Sequence, residues 1–307
     1  MRTATIRPSL AVAVAAGLAA ALAGSAALAQ VPAPALPVPA TAPITIKPVK
    51  PDLYMVTGAG GNTTVRVTPG GLVVVDGKNP GQQIYDDLMA QIRTVSPAPV
   101  KDLVNTHHHA DHSGNNARFR AAGANVIGQK NEPAELAKFV PPANNPTLTA
   151  PAPPNVTYDK SYTISLGGKT VKLVHFSPAH TSADTIVYFP DLKVVSMGDE
   201  LNAANPNIDY AGGGNLGGFV NSLDQTMKLD WDQAIPGHGA EPWTKAQVKA
   251  YRDKLQTLRE RAKAAVDAGA KHENFMASVK TDDLWPFPSG FWNQARTDGL
   301  WAESGGK

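Results

Sequence analysis

The chain contains no cysteine. Disulfides, thiolate metal ligands and a cysteine nucleophile are therefore excluded, and any zinc site must be built from histidine and carboxylate. A basic patch is missing as well. The formal net charge is +2 over 307 residues, and residues 1–29 hold Arg2 and Arg7 but no acid, so the remainder is neutral. No Lys/Arg cluster is left to neutralise phosphates, which excludes a nucleic-acid partner. Those first residues have the marks of an export signal: a basic start, an apolar run over 10–22, and the small-x-small site Ala27-Leu28-Ala29 before Gln30. The apolar run is too short and weakly flanked to span a bilayer. We therefore expect a cleaved signal peptide over 1–29, no stable membrane anchor afterwards, and a periplasmic or secreted bacterial protein.

Residues 30–43 are rich in Pro and Ala and carry no charge, which predicts an extended linker. Beyond Ile44, strands are expected over 54–56, 62–68 and 72–76, with Gly-rich turns between them. Val73, Val74 and Val75 form a continuous apolar run suited to a strand buried on both faces. It ends at Asp76, a carboxylate that could orient a metal-bound histidine or cap the next loop. Residues 81–95 carry Ile84, Leu88, Ile92 and Val95 on one helical face. A strand over 100–105, a helix over 115–122, a strand over 125–128 and a helix over 131–139 follow. Residues 141–154 read as a surface loop. Strands are then expected over 158–166, 169–176, 183–189 and 193–197, a mobile glycine-rich loop over 210–218, a helix over 219–229 and a last strand from Gln233. A long helix runs from Thr244, which can cap it, to about Gly269. The tail residues Trp285, Phe287, Phe291, Trp292 and Trp301 are expected to pack on the core. This alternation of strand and helix predicts an α/β sandwich.

The densest chemistry lies in Asn105-Thr106-His107-His108-His109-Ala110-Asp111-His112, at the end of a predicted strand. His107 and His109 are two apart, so in extended backbone they face one side and can grip one ion. Asp111 and His112 follow where the chain turns and can face a second. Zinc accepts this donor mixture, and two-metal hydrolytic sites hold their ions roughly 3.5–4 Å apart. His108 is expected to point the other way. His175, on a strand, reads as structural, and His272 as solvated.

Three further motifs follow in order: Pro178-Ala179-His180-Thr181, Met197-Gly198-Asp199 and Pro236-Gly237-His238-Gly239. Together with the His-x-His-x-Asp-His run and Asp76, this set resembles the metallo-β-lactamase superfamily over about residues 44–243. The resemblance implies an αββα sandwich of two pseudo-repeated halves, with mixed sheets inside, helices on the outer faces and the site on one edge. Residues 244–307 would pack on the same domain. It implies His107, His109 and His180 as ligands of one zinc, Asp111, His112 and His238 as ligands of the other, and Asp199 as the bridge. It further implies a metal-bridging hydroxide that cleaves an ester, thioester, lactone or lactam of a small-molecule substrate, with Asp111 orienting the nucleophile and moving its proton.

True β-lactamases of this superfamily have Cys or Ser where this chain has Asp199; glyoxalase II-like and lactonase-like hydrolases have Asp. Its diiron flavoproteins carry Glu where this chain has His109, so the all-His pattern favours zinc hydrolysis over oxygen reduction. Hydrolysis of β-lactam antibiotics stays open because of the export signal. An iron-dependent thiol dioxygenase and a non-catalytic metal-binding or sensory module are the readings from other classes. The module is disfavoured because no ligand is missing. Specificity is expected from loops 58–62, 141–154 and 210–218 and from the aromatic tail.

Overall fold

The structure, a computed structural model, describes residues 1, 35, 36, 38–141 and 148–307. Apart from Met1, the expected signal peptide lies outside the described residues, as does part of the predicted 141–154 loop. The chain divides after Gln30, and every strand and helix named below belongs to the unit of residues 31–307.

Two sheets form the centre. The first holds β1 (Thr45–Lys50), β2 (Leu53–Thr57), β3 (Thr63–Thr68), β4 (Gly71–Val75), β5 (Val100–Val104), β6 (Asn125–Gln129) and β7 (Val156–Tyr158), side by side in chain order. Pairing is antiparallel up to β4 and parallel from β4 to β7. The second runs β13-β12-β11-β10-β9-β8, from β8 (Ser161–Leu166), β9 (Lys169–Val174), β10 (Ile186–Phe189), β11 (Val194–Ser196), β12 (Gln233–Ile235) and β13 (Trp243–Thr244). Only β11–β12 is parallel here. The helices are α1 (Gln82–Arg93), α2 (Ala110–Ser113), α3 (Asn116–Ala121), α4 (Glu132–Leu136), α5 (Leu216–Thr226), α6 (Lys245–Asp267), α7 (Phe275–Ser278) and α8 (Gln294–Glu303).

Strand side chains alternate between faces, and the buried residues sort accordingly into three cores. Between the sheets, Met55, Val73, Val75 and Val104 meet Leu173, Val187, Phe189 and Ile235. On the outer face of the first sheet, Leu72 and Val74 pack with Leu88 and Ile92 of α1 and Phe119 of α3. On the outer face of the second, Ile186, Val195 and Ala234 pack with Phe219 and Leu223 of α5 and Leu255 and Leu258 of α6. Each such side chain taken from water stabilises the fold by roughly 1.5–3 kcal/mol. The result is the αββα sandwich of mixed sheets, helices outside. The tail aromatics join the third core: Trp285 is buried in it, and Phe287, Trp292 and Trp301 pack against it. Among the described residues, no helix is long and apolar enough to cross a membrane.

The predicted 158–166 strand is two strands. β7 ends the first sheet at Tyr158 and β8 opens the second at Ser161, so Asp159 and Lys160 carry the chain from one sheet to the other. An apolar alternation cannot reveal a change of partner. β1 is not among the expected strands, and Pro48 sits in it. Proline is tolerated there because β1 is an edge strand, and the register shifts between Pro48 and Lys50. The glycine-rich stretch, read as mobile, has another use: a Cβ on Gly214 would lie 2.2 Å from the His180 carbonyl oxygen, so glycine lets the two chain segments touch.

Candidate metal centre

The parallel strands β4, β5, β11 and β12 all end on one edge of the sandwich, the place where open α/β sheets put their sites. β4 ends into Asp76, β5 into Asn105-Thr106-His107, β11 into Met197-Gly198-Asp199, and β12 into Pro236-Gly237-His238. His180 comes from the loop between β9 and β10. The edge is stitched across both sheets: Asn62 donates its backbone N–H to Gly237 O at 2.7 Å, and its Nδ2 donates to Pro236 O and Gly239 O, both at 2.9 Å. Asn62 is buried by these bonds, so the 58–62 loop fixes the site's frame at that point.

All seven candidate side chains converge. His107, His109 and His180 offer nitrogens within 4.8 Å of one another, as do the donors of Asp111, His112 and His238. His180 Nε2 lies 3.0 Å from His109 Nδ1. Asp199 stands between the two groups. Its Oδ2 is 3.9 Å from His180 Nε2, whereas its Oδ1 is 3.3 Å from His112 Nε2 and 3.4 Å from His238 Nε2. Asp111 Oδ2 lies 3.1 Å from His238 Nε2 and 3.6 Å from His112 Nε2. Asp199 reaches this position because residue 237 is glycine: a Cβ there would sit 2.2 Å from Asp199 Oδ1.

Three buried atoms in this cluster make no hydrogen bond among the described residues: His107 Nε2, and His112 Nε2 and Asp199 Oδ1, which meet only as a charge pair 3.3 Å apart. A buried polar atom left unpaired costs about 1–3 kcal/mol, and such atoms are rare. Three aimed at one small space fit a cation. The donor set, imidazole with carboxylate and no sulfur, fits zinc.

The electrostatics point the same way. Burial, reinforced by the neighbouring histidines, holds His107 far below the ordinary imidazole range. Burial likewise lowers His180, to about 4. Both are neutral, the form that can ligate. Burial alone would raise Asp199, but His238 and His112 outweigh it and hold the carboxyl well below its usual range. Burial also opposes charge on His112, yet Asp111, Asp76 and Asp199 prevail and raise it. The centre concentrates negative charge and favours a positive species.

Asp76 proves to orient rather than to cap. Its Oδ2 accepts from His112 Nδ1 and from Thr106 Oγ1, each at 2.8 Å, and its Oδ1 accepts from Thr106 N at 2.7 Å. With Nδ1 so engaged, Nε2 of His112 is the end that faces Asp111 and Asp199. His108 does not enter the His107–His180 group. Its Nε2 lies 3.9 Å from Asp209, and burial lowers its pKa to about 3. His175 donates from Nδ1 to Asp184 O at 2.7 Å, a structural bond. His272, expected to be solvated, is 39% exposed and also reaches Asp298 at 2.7 Å.

Two clefts open beside His109. One, of about 240 Å³, is lined by Asn207, Tyr210, Asn293 and Arg296. The other, of about 260 Å³, is lined by His108, Leu136, Phe139 and Gly212.

The Metallo-beta-lactamase superfamily sequence model matches residues 56–260, two thirds of the chain and every candidate ligand. The chain belongs to that superfamily. Its members are mostly hydrolytic and metal-dependent. The fold is shared with the metallo-beta-lactamase of Pontibacter korlensis (TM-score 0.59, 19% identity, 69% of this chain and 99% of that one). It is shared too with the stereoselective inverting sec-alkylsulfatase Pisa1 from Pseudomonas sp. (TM-score 0.62, 16% identity, 85% of this chain and 50% of that one). In sequence, the chain is 24% identical over 140 residues to the 2,4-dinitroanisole O-demethylase subunit alpha of Nocardioides sp. (strain JS1661), covering 46% of this chain and 40% of that protein. The superfamily motifs did not announce Asp209, which accepts from His109 Nε2 at 3.0 Å. Nor did they announce Lys78, fully buried, whose Nζ donates to Val56 O and Gly61 O at 2.8 and 2.7 Å. An acid just ahead of a glycine-rich stretch is too common a pattern to single out Asp209.

Proposed function

We propose that this chain is an exported dizinc hydrolase that cleaves an ester, thioester, lactone or lactam bond in a small molecule. The observation that carries this is the convergence of His107 Nε2, His112 Nε2 and Asp199 Oδ1, buried and without hydrogen bonds among the described residues. His107, His109 and His180 would hold one ion, Asp111, His112 and His238 the other, and Asp199 both. Bound zinc supplies Lewis acidity and brings the pKa of water from about 15.7 down towards 7.

The chain's own groups do the rest. Asp199, with 6% of its side chain exposed, is sealed in and holds position, whereas Asp111 is 32% exposed and meets the substrate side. Asp111 is therefore the carboxylate placed to take a proton from the attacking water and return it to the leaving group. Asp76 locks His112, and Thr106 locks Asp76. The clefts beside His109 give the substrate an apolar wall at Leu136 and Phe139 and a polar one at Asn293 and Arg296. Asp199 supports hydrolase chemistry of the glyoxalase II and lactonase kind over β-lactam turnover. The O-demethylase relative and the alkylsulfatase neighbour extend the candidate bonds to aryl methyl ethers and sulfate esters.

The test is a hydrolysis screen of the zinc-loaded chain lacking residues 1–29, with acyl lactones, acyl thioesters, β-lactams, an alkyl sulfate and dinitroanisole side by side. Turnover is expected in at least one class, lost to chelator, and lowered about 10²–10⁴-fold in kcat by Asp111→Asn. A fully loaded protein inert towards every class contradicts the reading and favours a binding module.

A further inference from the structure

The aromatic tail and α8 lie beyond the matched superfamily region, which ends at residue 260, yet they bear on the candidate metal centre. We infer that α8 is the outer support of the His109–His180 half of that centre. It holds residues 207–214, and that loop fixes the two imidazoles.

The inner contacts set which nitrogen of each ring is free. The Asn207 carbonyl accepts from His180 Nδ1 at 2.5 Å, and Asp209 Oδ2 accepts from His109 Nε2 at 3.0 Å. With those protons committed outward, His180 Nε2 and His109 Nδ1 face each other 3.0 Å apart, where a cation would take both lone pairs and, in its place, one shared proton can bridge them. A hydrogen bond made by one ring nitrogen decides the role of the other. Asp209 is thus a positioning residue for His109. Its own backbone N–H donates to His180 O at 2.9 Å, and Ser182 N donates to Gly212 O at 2.8 Å, so the loop is fastened to the histidine segment along its length.

The outer contacts come from one stripe of α8. Arg296, Gly299 and Glu303 are spaced i, i+3, i+7 and so share a face. Arg296 Nη2 donates to Asn207 Oδ1 at 2.7 Å, while its Nη1 donates to Phe291 O at 2.9 Å and its guanidinium lies 4.7 Å from the Phe291 ring centre. Gly299 seats the Tyr210 ring: a Cβ there would meet ring carbons at 2.2–2.5 Å. Glu303 accepts from Tyr210 Oη at 3.2 Å and from the backbone N–H groups of Leu216 and Gly217 at 2.8 and 2.5 Å. The helix can bear this because it is anchored behind. Leu300 is buried in the outer core, Trp301 packs on Phe275 with ring centres 5.1 Å apart, and Asp298 meets His272 at 2.7 Å.

The inference shares the proposed metal centre, but its first readout needs no metal. Long-range ¹⁵N–¹H correlation spectra of the ion-stripped chain are expected to show the outward nitrogens, His180 Nδ1 and His109 Nε2, protonated. Arg296→Ala and Gly299→Leu should mix or reverse these tautomers, and Arg296→Lys should restore them in part, since lysine can reach Asn207 but cannot also stack on Phe291. Gln294→Ala, on the exposed side of α8 where Gln294 pairs with Asp298, should leave them unchanged. In a chelator-competition titration, Arg296→Ala should weaken one of two zinc steps by about 10–100-fold and spare the other. Parent tautomers opposite to those stated, or tautomers and both zinc steps unchanged in Arg296→Ala and Gly299→Leu, would overturn the inference. Absence of zinc binding in the parent would contradict the proposed function and leave the tautomer result to decide this one.

Discussion

Glu132 is a carboxyl sealed beside the strand that feeds the histidine motif. Its Oε1 accepts from Asn105 Nδ2 at 2.5 Å, and its Oε2 has no hydrogen-bond partner among the described residues. Burial lifts its pKa from 4.5 to about 8, against the pull of the Asn105 bond. A carboxyl raised on folding binds more protons in the native state, so its contribution to stability is complete below the unfolded value of 4.5 and is lost as pH rises through about 8. Glu132→Gln places an N–H₂ where the proton sits and leaves an oxygen for Asn105. Urea unfolding of the two chains at about pH 5 and about pH 8 should show the parent losing on the order of a few kcal/mol that the variant keeps. An equal loss in both would show that Glu132 is ionised throughout. Neither Glu132 nor Asp209 could be read from the sequence, because the partner of each is brought to it only by the fold. The seven candidate ligands could be read because four lie within six residues and the other three sit in short Gly- and Pro-bearing turns in a fixed order. Asp76 was legible as a residue and ambiguous as a role until its bonds to His112 and Thr106 were seen.

Elements were legible where a cap or a stripe marks them. Thr244 closes a capping box with Gln247: the Thr244 N–H donates to Gln247 Oε1 at 2.8 Å and Gln247 N donates to Thr244 Oγ1 at 3.3 Å. Thr244→Ala should cost about 1 kcal/mol of unfolding free energy, measured by denaturant midpoint, with no change in metal affinity because α6 faces the outer core. Retained stability would mean that packing of Leu255 and Leu258 alone sets the helix start. The start of α5 was misplaced by three residues. Asn215 caps it, its Oδ1 accepting from Gly218 N at 2.6 Å, and the glycines at 217 and 218 hid the helix because they depress helical propensity. They are present because Gly218 runs against Pro178: a Cβ there would sit 1.8 Å from the proline's carbonyl oxygen.

Within residues 31–307 the two sheet-and-helix halves pack face to face across the inter-sheet core, and each supplies part of the cluster at one edge. The αββα architecture was legible through the superfamily resemblance that the ordered motifs carry, whereas the sheet exchange at Asp159-Lys160 and the support from α8 depend on long-range contacts that periodicity does not encode. Folding and metal binding are expected to be coupled: the candidate ligands from β5, β11 and β12 meet only in the native state, so each ion bound would add about 2.7 kcal/mol of stability at one hundred times its Kd. The most direct measurement is a zinc titration of the ion-stripped chain followed by elemental analysis and thermal unfolding. Saturation at two ions per chain, a rise in Tm at each step, and weakening of both steps by Asp199→Ala are expected. Saturation at one ion or none, or an Asp199→Ala variant that binds as the parent does, would contradict the proposed dizinc centre.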